Sequence, residues 1–299
     1  MKISVIIPTF NAAGTLPLVL PALCQQQLLS GWEMEVIISD DGSSDATLES
    51  AKNILIASRC AYQIVVHPHR GAAAARNHGI EVARGDIIFL LGADIILLPG
   101  ALAAHARLHI DQPAPQVAAL GMVKWDPRLP ASAYMEWMAH GGPQNDFDAL
   151  LGVRWADPAR FFYGSHISFK RSFLGKMRFN ESFGPYGWED LEMGRRLATQ
   201  ELQLGVLHNA VGLHHHRSSF RELRHRQFLV GAGLVQYQRA YPMDVLIPRA
   251  SRWSRVRRWA FLRLGGRQIV RYCLPMCSAP WYFSLVTRAE FWAGVQKMS

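Results

Sequence analysis

A short apolar run that ends in an acidic turn constrains the fold of this 299-residue chain more than any other stretch. Ile87–Leu91 is five consecutive apolar residues, opened by Gly85-Asp86 and closed by Gly92. A run this short, bounded by glycines, predicts a strand buried on both faces. Asp94 follows where that strand leaves the sheet, and in open α/β sheets ligands collect at the carboxyl ends of the strands. Asp94 is therefore a candidate binding residue, although capping the next turn is an equally ordinary use of Asp.

The stretches before this run repeat the arrangement of strand, polar turn and helix. Strands are predicted at residues 3–8, 34–39 and 63–66, and helices begin near Leu16, Ala46 and Arg70. Strands that alternate with helices in units of about 25–35 residues predict right-handed βαβ connections and a mainly parallel sheet. Since 49% of the residues are hydrophobic, the chain can fill a sizeable core.

Asp40 and Asp41 form a second acidic turn, between a predicted strand and the start of a helix. Asp-Asp-Gly-Ser-Ser is good turn chemistry in itself. The same position also suits carboxylates that accept hydrogen bonds from a nucleotide's base and ribose. The glycine fingerprint of dinucleotide-binding proteins is absent here, so a nucleotide site stays open while a Rossmann dehydrogenase is disfavoured.

Four N-terminal elements, in their order and spacing, resemble a family 2 glycosyltransferase. They are Ile3–Asn11, Ile37–Asp45, Gly71–Ile80 and Gly85–Asp94. The resemblance covers about residues 1–217. It implies an α/β domain of the GT-A fold, which is Rossmann-like with a mainly parallel central sheet and flanking helices. Residues 218–299 would then form a basic, largely helical C-terminal extension.

The resemblance also implies a site for the nucleotide of a sugar donor. Asp41 would contact the base, with Asp40 beside it, and the backbone near Pro8-Thr9 would hold the uridine-like half. Arg76 would lie near the nucleotide. The implied donor is a nucleotide-diphosphate sugar, with UDP expected.

The family's metal motif, Asp-x-Asp, is written here as Gly92-Ala93-Asp94. The first carboxylate is missing, which weakens contacts to the donor's ribose or sugar, whereas Asp94 matches the position that binds the metal. Ala93 and Asp94 are both expected at the donor. In the family a histidine after the last strand completes the metal site, and His214 is the better match, with His216 in reserve. The implied cofactor is Mn²⁺ or Mg²⁺.

A second strong signal is Gly187-Trp188-Glu189-Asp190, at the start of a predicted helix. Acidic residues in a first turn are ordinary complements of the helix dipole. The segment also resembles the Glu-Asp motif of inverting glycosyltransferases, closest to galactosyltransferase-type members. On that resemblance Asp190, with Glu189 beside it, deprotonates the acceptor hydroxyl, and Trp188 offers the sugar a flat apolar face.

Three further histidines are ambiguous. His166 takes the place of an Asn that is common on the strand flooring the family's sugar pocket, so it faces the donor or is bonded to backbone. His105 and His109 stand four residues apart on a predicted helix. That spacing suits a metal, but without a third ligand nearby a solvated helix face is expected.

The C-terminal part is strongly basic. Residues 217–271 contain 13 Arg, no Lys and two acids, a net charge of +11, although the whole chain is only +9. Trp253, Val256, Ala260 and Leu264 share one helical face among arginines, which is typical of a helix lying on an anionic membrane surface. An accessory helix with solvated or paired arginines is the alternative. With no nucleic-acid motif, a nucleic-acid partner is not expected.

The remaining features bear on location. Cys24, Cys60, Cys273 and Cys277 form no zinc-like pair, so free thiols in a reducing cytosol are expected. No signal peptide is predicted at the start. The apolar window 87–104 is interrupted by Asp94 and Pro99, which argues against a membrane span. The expected location is cytoplasmic, with peripheral attachment at the inner face of the membrane as an option.

The sequence therefore predicts an inverting, metal-dependent glycosyltransferase. It would move a sugar from a nucleotide donor to a glycan or lipid-linked acceptor, in the synthesis of cell-surface glycans or glycolipids. Two alternatives stay open. One is a nucleotidyltransferase, which would carry a glycine-rich basic loop after the first strand. The other is a non-catalytic protein that binds a nucleotide sugar or a lipid, favoured by the missing first carboxylate.

Overall fold

The structure is a computed structural model that describes residues 1–130, 132–139, 146–183, 187–216, 219–242 and 280–298. Its contacts divide the chain into two compact units. The first unit comprises Met1–Leu129, Phe147–Glu181 and Glu189–His216. The second comprises Pro130–Asp146, Ser182–Trp188 and Arg217–Ser299. Two segments from before residue 217 thus belong to the second unit. The expected division into domains 1–217 and 218–299 stays a proposal.

The described part of the first unit holds one mixed sheet. Its strands are β1 (Lys2–Thr9), β2 (Glu33–Asp40), β3 (Tyr62–Val66), β4 (Ile87–Leu91), β5 (Ile95–Leu97), β6 (Val117–Trp125), β7 (Trp155–Ala156), β8 (His166–Lys170) and β9 (Gln203–His214). Their order across the sheet is β3-β2-β1-β4-β8-β6-β9-β5, and β7 pairs with β9 beside this path.

The helices of the described residues fall in both units. The first unit contains α1 (Leu16–Cys24), α2 (Thr47–Ala57), α3 (Ala72–Val82), α4 (Ala101–Asp111), a 3₁₀ turn (Asp148–Leu150), α6 (Pro158–Phe161), α7 (Arg171–Leu174) and all but the first residue of α8 (Trp188–Ala198). The second unit contains α5 (Ala133–Ala139), α9 (Phe220–Ala240) and α10 (Pro280–Met298).

The two longest strand pairings of the described sheet, β1–β2 and β6–β9, are parallel, which confirms the predicted α/β fold class. The β1–β4 and β2–β3 pairs are also parallel, and the β4–β8, β6–β8, β5–β9 and β7–β9 pairs are antiparallel. Because β1, β2 and β4 run the same way in register, their carboxyl ends meet at one edge of the sheet. Thr9 lies opposite Asp40 at that edge, and the turn after Leu91 leads directly to Asp94.

Alternating side chains of the buried strands fill two cores, one on each face of the sheet. On one face Ile3, Val5 and Ile7 of β1 pack with α1, α2 and α4. On the other face Ile6 of β1 packs with residues of α3 and α8. The strands are apolar on both faces because both faces are covered, as in parallel sheets generally. This rigid sheet fixes the loops at its edge.

The second unit is helical in its described residues. Helix α9 begins with a capping box, in which Ser219 and Glu222 exchange side-chain and backbone hydrogen bonds. Gly231 of α9 and Gly294 of α10 allow the two helices to approach closely, since a side chain at either position would overlap a backbone carbonyl of the facing helix. The nearly fully buried carboxylate of Glu290 is paired with Arg224 at 3.1 Å.

The prediction of free thiols is wrong for one pair, because Cys24 and Cys60 form a disulfide. Their Cα atoms are 6.3 Å apart, within the range that a disulfide spans. The pairing arises because α1 ends at Cys24 and packs beside α2, whose following loop carries Cys60. Cys273 and Cys277 lie outside the described residues.

The sequence raised two questions about membranes, whether a helix spans one and whether a helix lies on its surface. Within the described ranges, no helix is both long enough and apolar enough to cross a membrane. The predicted surface helix with Trp253, Val256, Ala260 and Leu264 lies outside the described residues, so that assignment stays a prediction.

Candidate active site

Asp40 and Asp41 both lie at the carboxyl edge of the sheet, as predicted, and their carboxylates hold the surrounding loops. Asp40 is fully buried and accepts hydrogen bonds from the hydroxyl of Thr9 at 2.9 Å and from the N–H of Ser43 at 2.8 Å. Asp41 accepts the backbone N–H groups of Arg70 at 2.7 Å and Gly71 at 2.8 Å. The acidic turn therefore shapes the expected nucleotide site by tying β1, β2 and the start of α3 together.

The imidazoles of His67 and His69 add to the contacts of Asp41. Their Nδ1 atoms lie 3.3 Å and 2.8 Å from its carboxylate oxygens. His69 is largely exposed and stacks on Phe10, which follows β1. Sequence reasoning missed both histidines because they belong to the loop after β3, about 27 residues beyond the acidic turn. The expected contact of Asp41 with a base stays a prediction.

Asp94 and His214, which are 120 residues apart in the chain, meet across the β5–β9 pair. Ile95 lies opposite His214 in the antiparallel register, and the backbone N–H of His215 donates to the carbonyl of Asp94 at 2.8 Å. The side chains follow this register, so that His214 Nε2 and Asp94 Oδ2 are 3.0 Å apart. The imidazole of His214 stacks between Trp125 and His216.

His215 points to the opposite side of its two neighbours, as expected for consecutive residues of an extended chain. Its Nδ1 lies 2.6 Å from Oδ2 of Asp126, which is also held by the guanidinium of Arg128. The hydrogen bonds from Arg128, aided by the one with His215, hold the pKa of the Asp126 carboxyl well below its usual range. This ion pair anchors the chain segment that carries His214.

The atoms of Asp94 and His214 fit a divalent cation as two of its ligands. A carboxylate oxygen and an imidazole nitrogen are suitable donors for Mn²⁺ or Mg²⁺. Two ligands at ~2.1 Å from one ion are at most about 4.2 Å apart, and the observed separation of 3.0 Å meets that limit. Among the described residues no cluster of three or more His, Cys, Asp and Glu side chains could hold a metal. Further ligands would come from a bound diphosphate or water.

The electrostatics of Asp94 favour the ionised carboxylate that a cation needs. Burial by itself would raise the pKa of Asp94, but the hydrogen bond with His214 and the charges of His214 and His216 outweigh it. The pKa of Asp94 therefore lies below its ordinary value. Ala93 is half-buried in the same turn.

Glu189 and Asp190 lie in the first turn of α8, as predicted, and both contact Arg76 of α3. The Nη1 atom of Arg76 is 3.1 Å from Oε1 of Glu189 and 3.3 Å from Oδ1 of Asp190. Burial raises the pKa of the Asp190 carboxyl to about 6 despite the opposing charge of Arg76, and the charge of Glu189 adds to the rise. A carboxyl that titrates in this range can accept and release a proton near neutral pH.

Gly164 and Ser165 connect Asp190 to the turn that carries Asp94. The N–H of Gly164 donates to Oδ2 of Asp190 at 2.8 Å. The carbonyl of the next residue, Ser165, accepts the N–H of Gly92 at 2.9 Å. Oδ1 of Asp190 accepts no hydrogen bond from the part of the chain that the structure describes. Within the first unit, the dipeptide Gly164-Ser165 therefore links the carboxylate of Asp190, a candidate proton acceptor, to the turn that carries Asp94, the candidate cation ligand.

Two predicted site residues are engaged elsewhere. His166 is fully buried, with Nδ1 3.3 Å from the carbonyl of Met122, so the backbone-bonded alternative is the arrangement seen. Trp188 belongs to the second unit, where its indole N–H donates to the carbonyl of Val230 at 2.7 Å and its ring packs against Tyr237. The roles proposed for these two side chains at a sugar stay predictions.

The prediction of a solvated face for His105 and His109 is wrong. Both are buried, and one ring nitrogen of each lies 2.8 Å from the hydroxyl of Ser168 on β8. Burial lowers the pKa of both imidazoles, to about 3 for His109, so they are neutral in the core. Helical spacing alone did not reveal that this face of α4 packs on the sheet.

Comparisons with known proteins bear on the family and the fold of the chain. Residues 4–178 match the family described as Glycosyl transferase family 2. A relative, validoxylamine A glucosyltransferase of Streptomyces hygroscopicus subsp. jinggangensis, is 26% identical over 236 residues, which cover 71% of this chain and 54% of that enzyme. The chain spans about half the length of the two Streptomyces enzymes that it matches.

Solved structures share the fold. The mannosyltransferase PcManGT of Pyrobaculum calidifontis, in complex with GDP-Man and Mn²⁺, aligns with a TM-score of 0.67 at 20% identity, over 99% of this chain and 86% of that one. Residues 1–349 of TarS from S. aureus, in complex with UDP-GlcNAc, align with a TM-score of 0.58 at 14% identity, over 100% of this chain and 90% of that one. At such low identity the similarity shows the fold.

Proposed function

The chain belongs to glycosyltransferase family 2, and from that membership we propose that it transfers a sugar from a nucleotide-diphosphate donor to a hydroxyl acceptor with inversion at the anomeric carbon. The observation that carries the proposal is the pair of hydrogen bonds through Gly164 and Ser165. They join Asp190 to the turn of Asp94. The candidate proton acceptor and the candidate cation ligand are thus joined by hydrogen bonds within one site. Sugar transfer from a diphosphate donor needs both groups, one for the acceptor hydroxyl and one for the departing diphosphate.

In this proposal Asp190 is the general base. Its Oδ2 is held by the N–H of Gly164. Its Oδ1, which lies 3.3 Å from Nη1 of Arg76 and accepts no hydrogen bond from the described residues, would take the proton of the acceptor hydroxyl. As the acceptor hydroxyl loses its proton to Asp190, its oxygen attacks the anomeric carbon from the face opposite the diphosphate. The bond between that carbon and the diphosphate breaks in the same displacement, which inverts the configuration of the anomeric carbon. No enzyme nucleophile is needed.

Asp94 and His214 would hold the cation, with His216 in reserve and Ala93 in the same turn. A bound Mn²⁺ or Mg²⁺ would offset the charge that develops on the departing diphosphate, as a Lewis acid. The acidic turn, with Thr9, Asp40 and Asp41 beside Pro8, would frame the nucleotide. The Mn²⁺ in the PcManGT complex supports the cation, and that complex and the TarS complex support a nucleotide-sugar donor.

UDP is the proposed nucleotide, because the resemblance in residues 3–45 implies a uridine-like half. Titration with UDP-, GDP- and dTDP-sugars in the presence of Mn²⁺ or Mg²⁺ tests this, with donor hydrolysis as the readout. We expect hydrolysis of one or more UDP-sugars that stops when EDTA removes the cation. NMR of a transferred product should show a β-linkage from an α-linked donor.

Each other outcome of this screen is informative. Retention of the α-configuration would exclude single displacement. Release of pyrophosphate from a nucleoside triphosphate, with no sugar transfer, would favour the nucleotidyltransferase. Binding of a nucleotide sugar without turnover, under every condition and with every acceptor tried, would favour a non-catalytic member of the fold.

The acceptor is proposed to be a glycan or a lipid-linked glycan in cell-surface synthesis, used at the inner face of the cytoplasmic membrane. The support is the excess of positive charge in residues 217–271, where 13 Arg stand against two acids. Anionic lipid headgroups attract such segments. Peripheral attachment would hold the enzyme beside a lipid-linked acceptor.

A further inference from the structure

Arg76 is expected from the family resemblance to lie near the nucleotide, and in the structure its guanidinium has partners within the protein. Its side chain is nearly buried, and its guanidinium lies against the carboxylates of Glu189 and Asp190. The same guanidinium lies over the ring of Phe179, with 5.2 Å from Cζ to the ring centroid. A buried guanidinium needs such partners, since an unpaired charge in the core is costly.

The next residue, Asn77, binds the backbone of Phe179, whose ring lies against the guanidinium of Arg76. Its side-chain amide donates to the carbonyl of Phe179 at 2.9 Å, and its carbonyl oxygen accepts the N–H of Phe179 at 2.8 Å. On α3, Asn77 thus binds the backbone of Phe179, and Arg76 binds the carboxylates of Glu189 and Asp190. Both side chains contribute to the surroundings of Asp190.

We propose that Arg76 is the positioning residue of the general base, holding the carboxylate of Asp190 ionised and in place beside Glu189, rather than a contact of the donor nucleotide. This inference rests on the proposed function, because it assumes that Asp190 accepts the proton. Two groups grip the carboxylate: the N–H of Gly164 donates to Oδ2, and the guanidinium lies beside Oδ1.

The charges around Asp190 show why this position needs a cation. Within the part of the chain that the structure describes, the charges that act on its carboxyl are Arg76 from α3 and Glu189 from its own helix, and the N–H of Gly164 comes from the loop before β8. Burial and the like charge of Glu189 both favour the protonated carboxyl, which cannot accept a proton. Arg76 provides the opposing charge. Its removal would take away the charge that opposes both effects at Asp190.

Gly164 gives independent geometric support. A Cβ atom at this position would stand 2.6 Å from Oδ1 of Asp190 and 3.0 Å from Cζ of Arg76. The backbone of residue 164 is thus packed against both members of the ion pair. Its φ angle is not in the left-handed region, so the close approach, and not the backbone conformation, explains why a glycine fits here.

The test is the dependence of kcat/KM on pH in Arg76→Gln, Arg76→Lys and the control Arg84→Gln, which removes an exposed charge just after α3. Activity falls on the acidic side as Asp190 becomes protonated. Without the charge of Arg76 the pKa of Asp190 rises, so in Arg76→Gln this limb should move to higher pH by about one unit or more. Arg76→Lys should move it less, and Arg84→Gln should not move it. The affinity for UDP should stay within about threefold in all three.

A fall in UDP affinity of tenfold or more in Arg76→Gln, with an unmoved acidic limb, would make Arg76 a nucleotide contact and overturn the inference. If Arg76→Gln does not fold, the same two measurements on Arg76→Lys decide, namely the pH of the acidic limb and the affinity for UDP. Gly164→Ala is a further variant. Gly164→Ala should lower kcat while it preserves UDP affinity, and an unchanged kcat would count against the packing argument. Full activity of Asp190→Asn would instead reject the proposed function itself.

Discussion

At the scale of single residues, the carboxylates of Asp41 and Asp190 are both held by backbone N–H groups of loops. Asp41 follows a strand and Asp190 begins a helix, as their neighbours in the chain predicted. That Asp41 would be occupied by the N–H groups of Arg70 and Gly71 was not predictable. Those partners lie in a loop about 29 residues further on, and their position depends on how β3 pairs with β2.

The cation ligands give a prediction at this scale. Asp94→Asn and His214→Ala should each remove most of the effect of Mn²⁺ on UDP affinity, because each deletes one of the two proposed protein ligands. Loss of a residue that only hydrogen-bonds to a metal ligand commonly costs on the order of 10–100-fold in metal affinity, so loss of a ligand should cost at least as much. Calorimetric titration with UDP, with and without Mn²⁺, measures this.

The matched control for the cation prediction is His208→Gln, which changes an exposed histidine on the same strand. It should leave the Mn²⁺ effect intact. If Asp94→Asn retains the full Mn²⁺ effect, the assignment of the ligands is wrong. If only His214→Ala retains it, His216→Ala should be measured next, as the reserve ligand.

At the scale of elements, strands with a clear apolar run were predicted well. The predicted bounds of β4 match those observed, β1 and β2 are one residue longer than predicted at each end, and β3 begins one residue earlier. The two shortest strands, β5 and β7, were missed, because two or three residues are too few to show a period of two. The structure of β5 matters most, since its pairing with β9 brings Asp94 to His214.

Contacts between elements account for the sequence-based predictions that were wrong. His105 and His109 lie on the face of α4 that packs on β8, where Ser168 binds both. Cys24 and Cys60 meet because α1 and α2 pack side by side. Both results depend on which helix neighbours which strand, and a single sequence carries little information about that.

At the scale of the whole molecule, the distribution of charge predicts reversible binding to anionic membranes. Three or four engaged arginines contribute about 1 kcal/mol each near such a surface, screened by salt. Changing Arg252, Arg255, Arg257 and Arg258 to Gln should therefore abolish co-sedimentation with liposomes that contain anionic lipid. In the unchanged protein, binding should decline as salt rises.

A charge-matched control removes four exposed cations from the first unit, namely Lys52, Arg59, Arg84 and Arg107. This variant should still co-sediment. Equal binding to neutral liposomes, or no binding to either kind, would argue against a membrane surface. The basic segment would then be a docking surface for a protein or for a soluble acidic acceptor.

In the proposed function, Asp190 is the base that activates the acceptor hydroxyl. The most direct measurement is the turnover of Asp190→Asn, alongside its affinity for UDP and the exposed control Glu201→Gln, just beyond α8. The amide keeps the shape of the side chain and removes the proton acceptor. We expect kcat to fall by on the order of 10²–10⁴, with UDP affinity near that of the unchanged protein and with Glu201→Gln fully active. Sugar transfer by Asp190→Asn at the original rate would contradict the account and leave Asp190 as an acid that only complements the start of α8.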